Sequence, residues 1–170
     1  MKKIKNIVAL FAMSVLTLAA TAQSKDIVGV ASGSPDHTTL VAAVKAADLV
    51  TTLQGSGPFT VFAPTNAAFA KLPAGTVDEL LKPENKSKLA GVLTYHVVSG
   101  NLDAKQVIAA ITKGKGKAEL TTVAGGKLTA SLSGGKVILT DANGGKSTVT
   151  ATDLKGSNGV IHVIDTVLMP

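Results

Sequence analysis

The sequence predicts an α+β fold, on two observations about periodicity and one about aromatic placement. Up to about Ile111 the apolar residues recur at helical spacing, as in Leu40, Val41, Val44 and Ala47. From Lys117 onward short segments with strand-like patterning alternate with glycine turns, so helices crowd the first half and hairpins the second. Aromatic residues make up only 3 per cent of the chain, yet three of its four phenylalanines, Phe59, Phe62 and Phe69, fall between Gly57 and Pro73. Each such ring contributes on the order of 1.5–3 kcal/mol when buried, so this stretch is the expected nucleus of the core.

Within it, Phe59 to Ala63 reads as a short buried strand, stopped by Pro64, which lacks a ladder donor. Thr65 or Asn66 then caps a helix that Ala67 to Lys71 carry as far as Leu72 and Pro73.

The chain begins with Lys2, Lys3 and Lys5, an apolar run from Ile7 to Leu18, and the small-x-small triplet Ala20-Thr21-Ala22. This pattern reads as a secretory signal peptide over residues 1–22, leaving 23–170 as a single domain. An uncleaved anchor is disfavoured, because the apolar run falls short of the roughly 20 residues that cross a bilayer, and no transmembrane anchor is expected after cleavage. Three lysines leave with the leader, so the formal charge drops from +6 to +3. All 17 basic residues are lysines. Without arginine forks or a supply of aromatic stacking platforms, nucleic acid is a poor partner. The absence of cysteine removes disulfides, thiolate catalysis and zinc–cysteine sites together.

The other elements follow in order. Asp26 to Ala31 is a short helix or irregular arm, and Asp36 or Thr38 is expected to cap a helix reaching Ala47. Asp48 to Leu53 adds a helical turn before the Gly55–Pro58 break. Thr76 caps Val77 to Leu81, Pro83 opens a helix with Leu89, Val92 and Leu93 on one stripe, and Tyr95 to Val98 looks extended. Asp103 caps Ala104 to Ile111, with Val107, Ile108 and Ile111 inward. Five strands follow: Glu119–Val123, Lys127–Ser133, Lys136–Thr140, Ser147–Thr152 and Val160–Leu168, the last apolar on both faces as an inner strand is. Asn143-Gly144-Gly145 reads as a type I′ turn, and Lys113 to Lys117 as a flexible solvated loop.

Three stretches together resemble the fasciclin domain family. They are Phe59-Thr60-Val61-Phe62-Ala63-Pro64-Thr65-Asn66-Ala67-Ala68-Phe69, then Leu93-Thr94-Tyr95-His96-Val97-Val98-Ser99-Gly100, then Asn158 to Pro170 with Val160-Ile161-His162-Val163-Ile164-Asp165 at its centre. The resemblance spans roughly Asp26 to Pro170. It implies a wedge-shaped β-sandwich with several short helices packed along one edge, the first and last motifs on adjacent central strands, and a secreted or surface protein of adhesion or matrix contact rather than an enzyme. It also implies that Phe59, Phe62, Pro64, Phe69, Tyr95, His96, Asn158, Gly159, His162 and Asp165 form the motif core. In animal matrix members the Tyr-His region is tied to integrin recognition, so Tyr95 and His96 are the candidate partner-binding pair.

No catalytic or metal constellation stands out. The histidines, His37, His96 and His162, share no H-x-x-x-H, H-E-x-x-H or H-x-H spacing, and core or capping roles are expected of them. Gly55-Ser56-Gly57 lacks a nucleophile-elbow frame, Asn143 to Ser147 lacks a phosphate-loop frame, and Asp141 to Gly144 offers too few oxygens for calcium. No cofactor is implied. The leading expectation is a secreted or surface interaction module contacting matrix, a surface polysaccharide or a partner protein. The alternatives are a carrier of a small apolar, carotenoid-like ligand, disfavoured by the scarcity of aromatics, and a structural envelope protein.

Overall fold

The computed structural model describes residues 25–170, and the proposed leader at 1–22 lies outside them. Among the described residues the α-helices are α1 (Ile27–Ser32), α2 (Thr38–Ala46), α3 (Val50–Leu53), α4 (Asn66–Ala70), α5 (Thr76–Leu80), α6 (Lys86–Tyr95) and α7 (Ala104–Lys113). The strands are β1 (Phe59–Pro64), β2 (Val97–Ser99), β3 (Lys117–Thr121), β4 (Lys127–Ser133), β5 (Lys136–Thr140), β6 (Lys146–Gly156) and β7 (Gly159–Ile164). Single 3-10 turns at Pro35–His37 and Pro83–Asn85 lead into α2 and α6.

The strands hydrogen-bond in the order β2-β1-β7-β6-β5-β4-β3. Every pairing is antiparallel except β1 with β7, which run parallel with Phe59 opposite Gly159 and Phe62 opposite His162. The first and last motifs therefore lie side by side as the inner pair of the leaf formed by β2, β1, β7 and β6. Strand β6 serves two leaves: Lys146–Thr148 pair with β5, and Val149–Gly156 pair with β7 across two register shifts. Such bulges bend and twist a strand, and here the bend folds one leaf over the other. On the far side a bridge between Val98 and Thr122, and Val123 N–H to Val97 O at 2.8 Å, nearly close the wedge.

The central strands are buried on both faces, and their alternation splits the core in two. Val61, Ala63 and Ile161 face α1, α2, α4 and α6, packing with Leu40, Val44, Phe69 and Leu93. Phe62 and Ile164 face into the wedge, with Leu128, Leu139, Val149 and, from α7, Val107 and Ile111.

Several expectations need correction. Tyr95 is the last residue of α6 and His96 its C-cap, so the chain becomes extended only at Val97. Neither Asp36 nor Thr38 caps α2. The cap comes from across the fold, where Asn66 Oδ1 accepts Thr39 N–H at 3.0 Å. Gly75, at φ 85°, stands at the N-cap of α5 in place of Thr76. Ile108 is 40% exposed, because the inward stripe of α7 is the narrower one of Val107 and Ile111. Strand β6 runs on to Gly156, and β7 ends at Ile164 rather than Leu168. The Asp141–Gly145 loop is not a type I′ turn, since Gly144 alone within it has positive φ, at 84°. Asp141 Oδ1 organises it instead, accepting Asn143 and Gly145 N–H at 3.0 and 2.7 Å. The Lys113–Lys117 loop is tied down: Gly116 N–H reaches Ile111 O at 2.8 Å, and Lys115 N–H reaches Thr112 O at 3.2 Å.

Candidate functional site

Tyr95 and His96 reach their places because α6 ends where the chain must drop into β2, which lies beside β1. Both side chains are buried, at 1% and 2% exposure. The Tyr95 hydroxyl donates to Lys127 O at 2.8 Å and accepts Ala142 N–H at 3.1 Å, joining the β4 entry to the Asp141 loop. Burial raises its pKa against the opposing Ala142 hydrogen bond, with the Asp141 charge adding to the rise. His96 Nδ1–H donates to Val92 O at 2.8 Å, and Nε2 accepts Leu168 N–H at 3.0 Å. These partners require the neutral Nδ1–H tautomer. Burial lowers the pKa to about 4, against the pull of the Val92 carbonyl and the Asp141 carboxylate.

The last motif arrives at the same place. Leu168 is fully buried, Asp141 Oδ2 accepts Met169 N–H at 3.1 Å, and Asn143 Nδ2 donates to Met169 O and Pro170 O at 3.3 and 3.1 Å. The Tyr-His pair, the Asp141 loop and the C-terminal residues thus form one network, whose polar atoms bond mainly to backbone.

His162 occupies the opposite tautomer. Its Nε2–H donates to Leu102 O at 2.7 Å, Nδ1 takes Asp153 N–H at 3.4 Å, and the ring stacks on Phe62 with centroids 5.6 Å apart. Asp153, at φ 60° in the β6 bulge, also accepts Ala104 N–H at the start of α7 through Oδ1 at 2.9 Å. His37 is buried beside Ser34 Oγ at 2.9 Å, and burial lowers its pKa.

The remaining motif residues are likewise structural in their contacts. Asn158 accepts Ile27 N–H at 3.0 Å and donates to Leu53 O and Gly55 O at 2.7 and 2.9 Å, tying α1 and α3 to the β7 entry. A Cβ at Gly159 would run into Phe59 O, so only glycine lets β7 lie this close to β1. Pro64 closes β1 opposite Ile164, and Phe69 is buried under α2. Burial acts to raise the Asp165 carboxyl, but hydrogen bonds from Thr148 N–H, Thr166 and Ser147, together with Lys71, outweigh it and hold the pKa below the usual carboxylate range.

Two of the concavities among the described residues bear on function. An apolar cavity between α1, α2 and strands β1 and β7, lined by Val28, Leu40, Val44, Val61, His96 and Ile161 among others, has a volume of about 30 Å³. A polar cleft of about 230 Å³ lies between Ser56, Asn101, Asp103 and the β6–β7 turn at Lys155–Val160. No group of three or more His, Cys, Asp or Glu able to hold a metal occurs among the described residues. No helix among them is long and apolar enough to cross a membrane. Sequence reasoning missed Asp141, Asn143, Asn66 and Asp153, which act across the chain. Their signal is at most a turn-like Asp-x-Asn-Gly-Gly and a bulge that sequence does not mark.

The Fasciclin domain family model matches residues 35–170, most of the chain. The chain belongs to the fasciclin domain family. It is 52% identical over 157 residues to the protein named sll1483 of Synechocystis sp., covering 92% of this chain and 80% of that one. It is 37% identical to the cell surface glycolipoprotein MPB83 of Mycobacterium bovis, covering 82% of this chain and 58% of that one. The structure of a FAS1 domain pair from the insect cell adhesion molecule fasciclin I superposes with a TM-score of 0.74 at 19% identity, covering 86% of this chain and 51% of that chain. At that identity the likeness concerns the fold, here about half of the paired structure. Fasciclin-domain proteins are adhesion and surface proteins rather than enzymes.

Proposed function

We propose that this fasciclin domain is exported and acts as a non-enzymatic interaction module at the cell surface or in the surrounding matrix. The observation that carries the reading is how the motif histidines are used. His96 and His162 place both ring nitrogens against backbone groups inside the fold, so neither ring is free to act as a base or ligand toward a substrate. The family's adhesion proteins and the surface location in the name of the mycobacterial relative support the same reading. The motif core, Tyr95 and His96 included, acts as scaffold and leaves contact to the exposed surface. The carrier alternative is less well supported, since the apolar cavity of about 30 Å³ is far smaller than the roughly 300–1,000 Å³ of pockets that hold such ligands.

Fractionation of producing cells, with capture of surface material on the purified protein, tests this. The protein is expected in the surface or medium fraction and to retain a surface component. Turnover of a small substrate, lost in His96→Gln or His162→Gln variants that still fold, would overturn the reading.

A further inference from the structure

The charge of the protein is unevenly placed. Residues 113–150 carry six lysines against two acids, whereas the other described residues carry eight lysines against nine acids. Strand register resolves where those lysines stand. On β3, β4, β5 and the first residues of β6, up to Val149, the inward residues are buried except Leu132 near the end of β4, and their alternates are exposed or half-buried, so the alternates form one outward face. One row across that face runs Lys117, Ser131, Ile138, Thr148, and the next runs Glu119, Thr129, Thr140, Lys146. Lys136 stands beyond the first row and Lys127 beyond the second.

Of the two acids, Glu119 is paired with Lys127. Asp141 is buried, its oxygens turned to Asn143, Gly145 and Met169 N–H. Lys117, Lys136 and Lys146 are exposed and make no ion pair among the described residues. The tied α7–β3 corner adds Lys113 and Lys115 beside Lys117.

From this geometry we infer that the outward face of β3–β6 is a docking surface for an acidic polysaccharide, one bearing carboxylate or sulfate groups along an extended chain. The inference rests on the surface-module reading and names its partner class. Strands lie about 4.8 Å apart, and Lys117 and Lys136 stand two strands and one row apart, so they are spaced by about 12 Å on a face that also carries the hydroxyls of Thr129, Ser131, Thr140 and Thr148, which suits a hydroxylated chain lying across the strands. Ammonium groups act as point charges toward dispersed anions and need no forked geometry. The only apolar side chain in the two rows is the half-buried Ile138, so nothing there anchors into a bilayer.

The test compares the native protein, the triple variant K117Q/K136Q/K146Q, and a charge-matched control, K45Q/K82Q/K88Q, made at exposed lysines of the helical side. Thermal melting first establishes that all three are folded. Binding is then measured to dextran sulfate, to neutral dextran and to phosphatidylglycerol vesicles at several salt concentrations. The expected result is salt-dependent binding to dextran sulfate, at least tenfold weaker in the face variant, within twofold of native in the control, and absent on neutral dextran. Equal weakening in both variants, equal binding to neutral dextran, or tighter binding to vesicles that depends on the same lysines would each overturn the inference. A face variant still held at the cell surface as firmly as native would sink this inference while leaving the surface-module reading intact. Absence of the native protein from the surface and medium fractions would sink that reading instead.

Discussion

The β1–β7 seam and the outward face of β3–β6 belong to one sheet but are built under opposite constraints. Along the seam nearly every residue of both strands is buried, helices cover one side, and a glycine is required where Phe59 O meets Gly159. On the outward face every second residue is exposed or half-buried, and apart from Glu119 and Ile138 lysine, serine and threonine occupy those positions. The residues of the three motifs thus assemble the wedge, and the proposed docking surface lies elsewhere. The contrast predicts its largest effect at Phe62, fully buried and stacked on His162. Phe62→Ala should cost about 3–5 kcal/mol, against a typical total of about 5–15 kcal/mol. Urea titration checks this, and a loss below about 1 kcal/mol would mean that the seam is not the nucleus.

The second effect comes from acid. His96 is neutral when folded, with a pKa of about 4, and takes its ordinary value of 6.5 when unfolded. Between these values the unfolded chain binds a proton that the folded chain refuses, so stability is fully present above pH 6.5 and is lost as pH falls toward 4. At about 1.4 kcal/mol per pKa unit the loss is roughly 3 kcal/mol. The lowered His37 pKa works in the same direction. Denaturant titrations from pH 7.5 to 4 should show this slope in the native protein and a flatter one in His96→Gln. An unchanged slope would remove His96 from the account.

What the sequence disclosed depends on how local the cause is. Strands β4 and β5 keep the bounds read from Gly125-Gly126, Gly134-Gly135 and their alternation, because turn chemistry and a half-exposed pleat are set within a few residues. The Asp103 cap, and Thr65 as one of two candidates with Asn66, were legible for the same reason, each accepting an N–H three residues on. The end of α6 was not. Tyr95 and His96 precede two valines and read as strand, yet Tyr95 bonds to Lys127 and Ala142, and those contacts across the fold hold it at the helix terminus. The Asn66 cap on α2 and the joining of Lys117 to Lys146 on one face were hidden likewise, since cross-strand register is not written at any single position.

Away from the seam the expected effects shrink. Asp103 is half-buried at the start of α7, where its Oδ1 accepts Gln106 N–H at 2.8 Å. Asp103→Ala should cost about 1 kcal/mol, the usual value of such a cap. A loss near that of Phe62→Ala would show that α7, which closes the wedge over β3 and β4, is as central as the seam.

The smallest effect is expected at Lys115. It is exposed, makes no ion pair among the described residues, and sits at φ 56° in a corner held by backbone bonds on either side. Lys115→Ala keeps a Cβ in the left-handed region and removes only a solvated amine, so stability should change by less than about 0.5 kcal/mol. Lys115→Gly relieves the left-handed strain, roughly 1 kcal/mol, but gives the unfolded chain comparable extra freedom, and should also come out near zero. Both variants should nevertheless bind dextran sulfate more weakly than native protein, because each removes a cation next to Lys117 that the fold does not need. Binding lost together with stability would tie this corner to the core after all, and the separation between seam and outward face would fail there first.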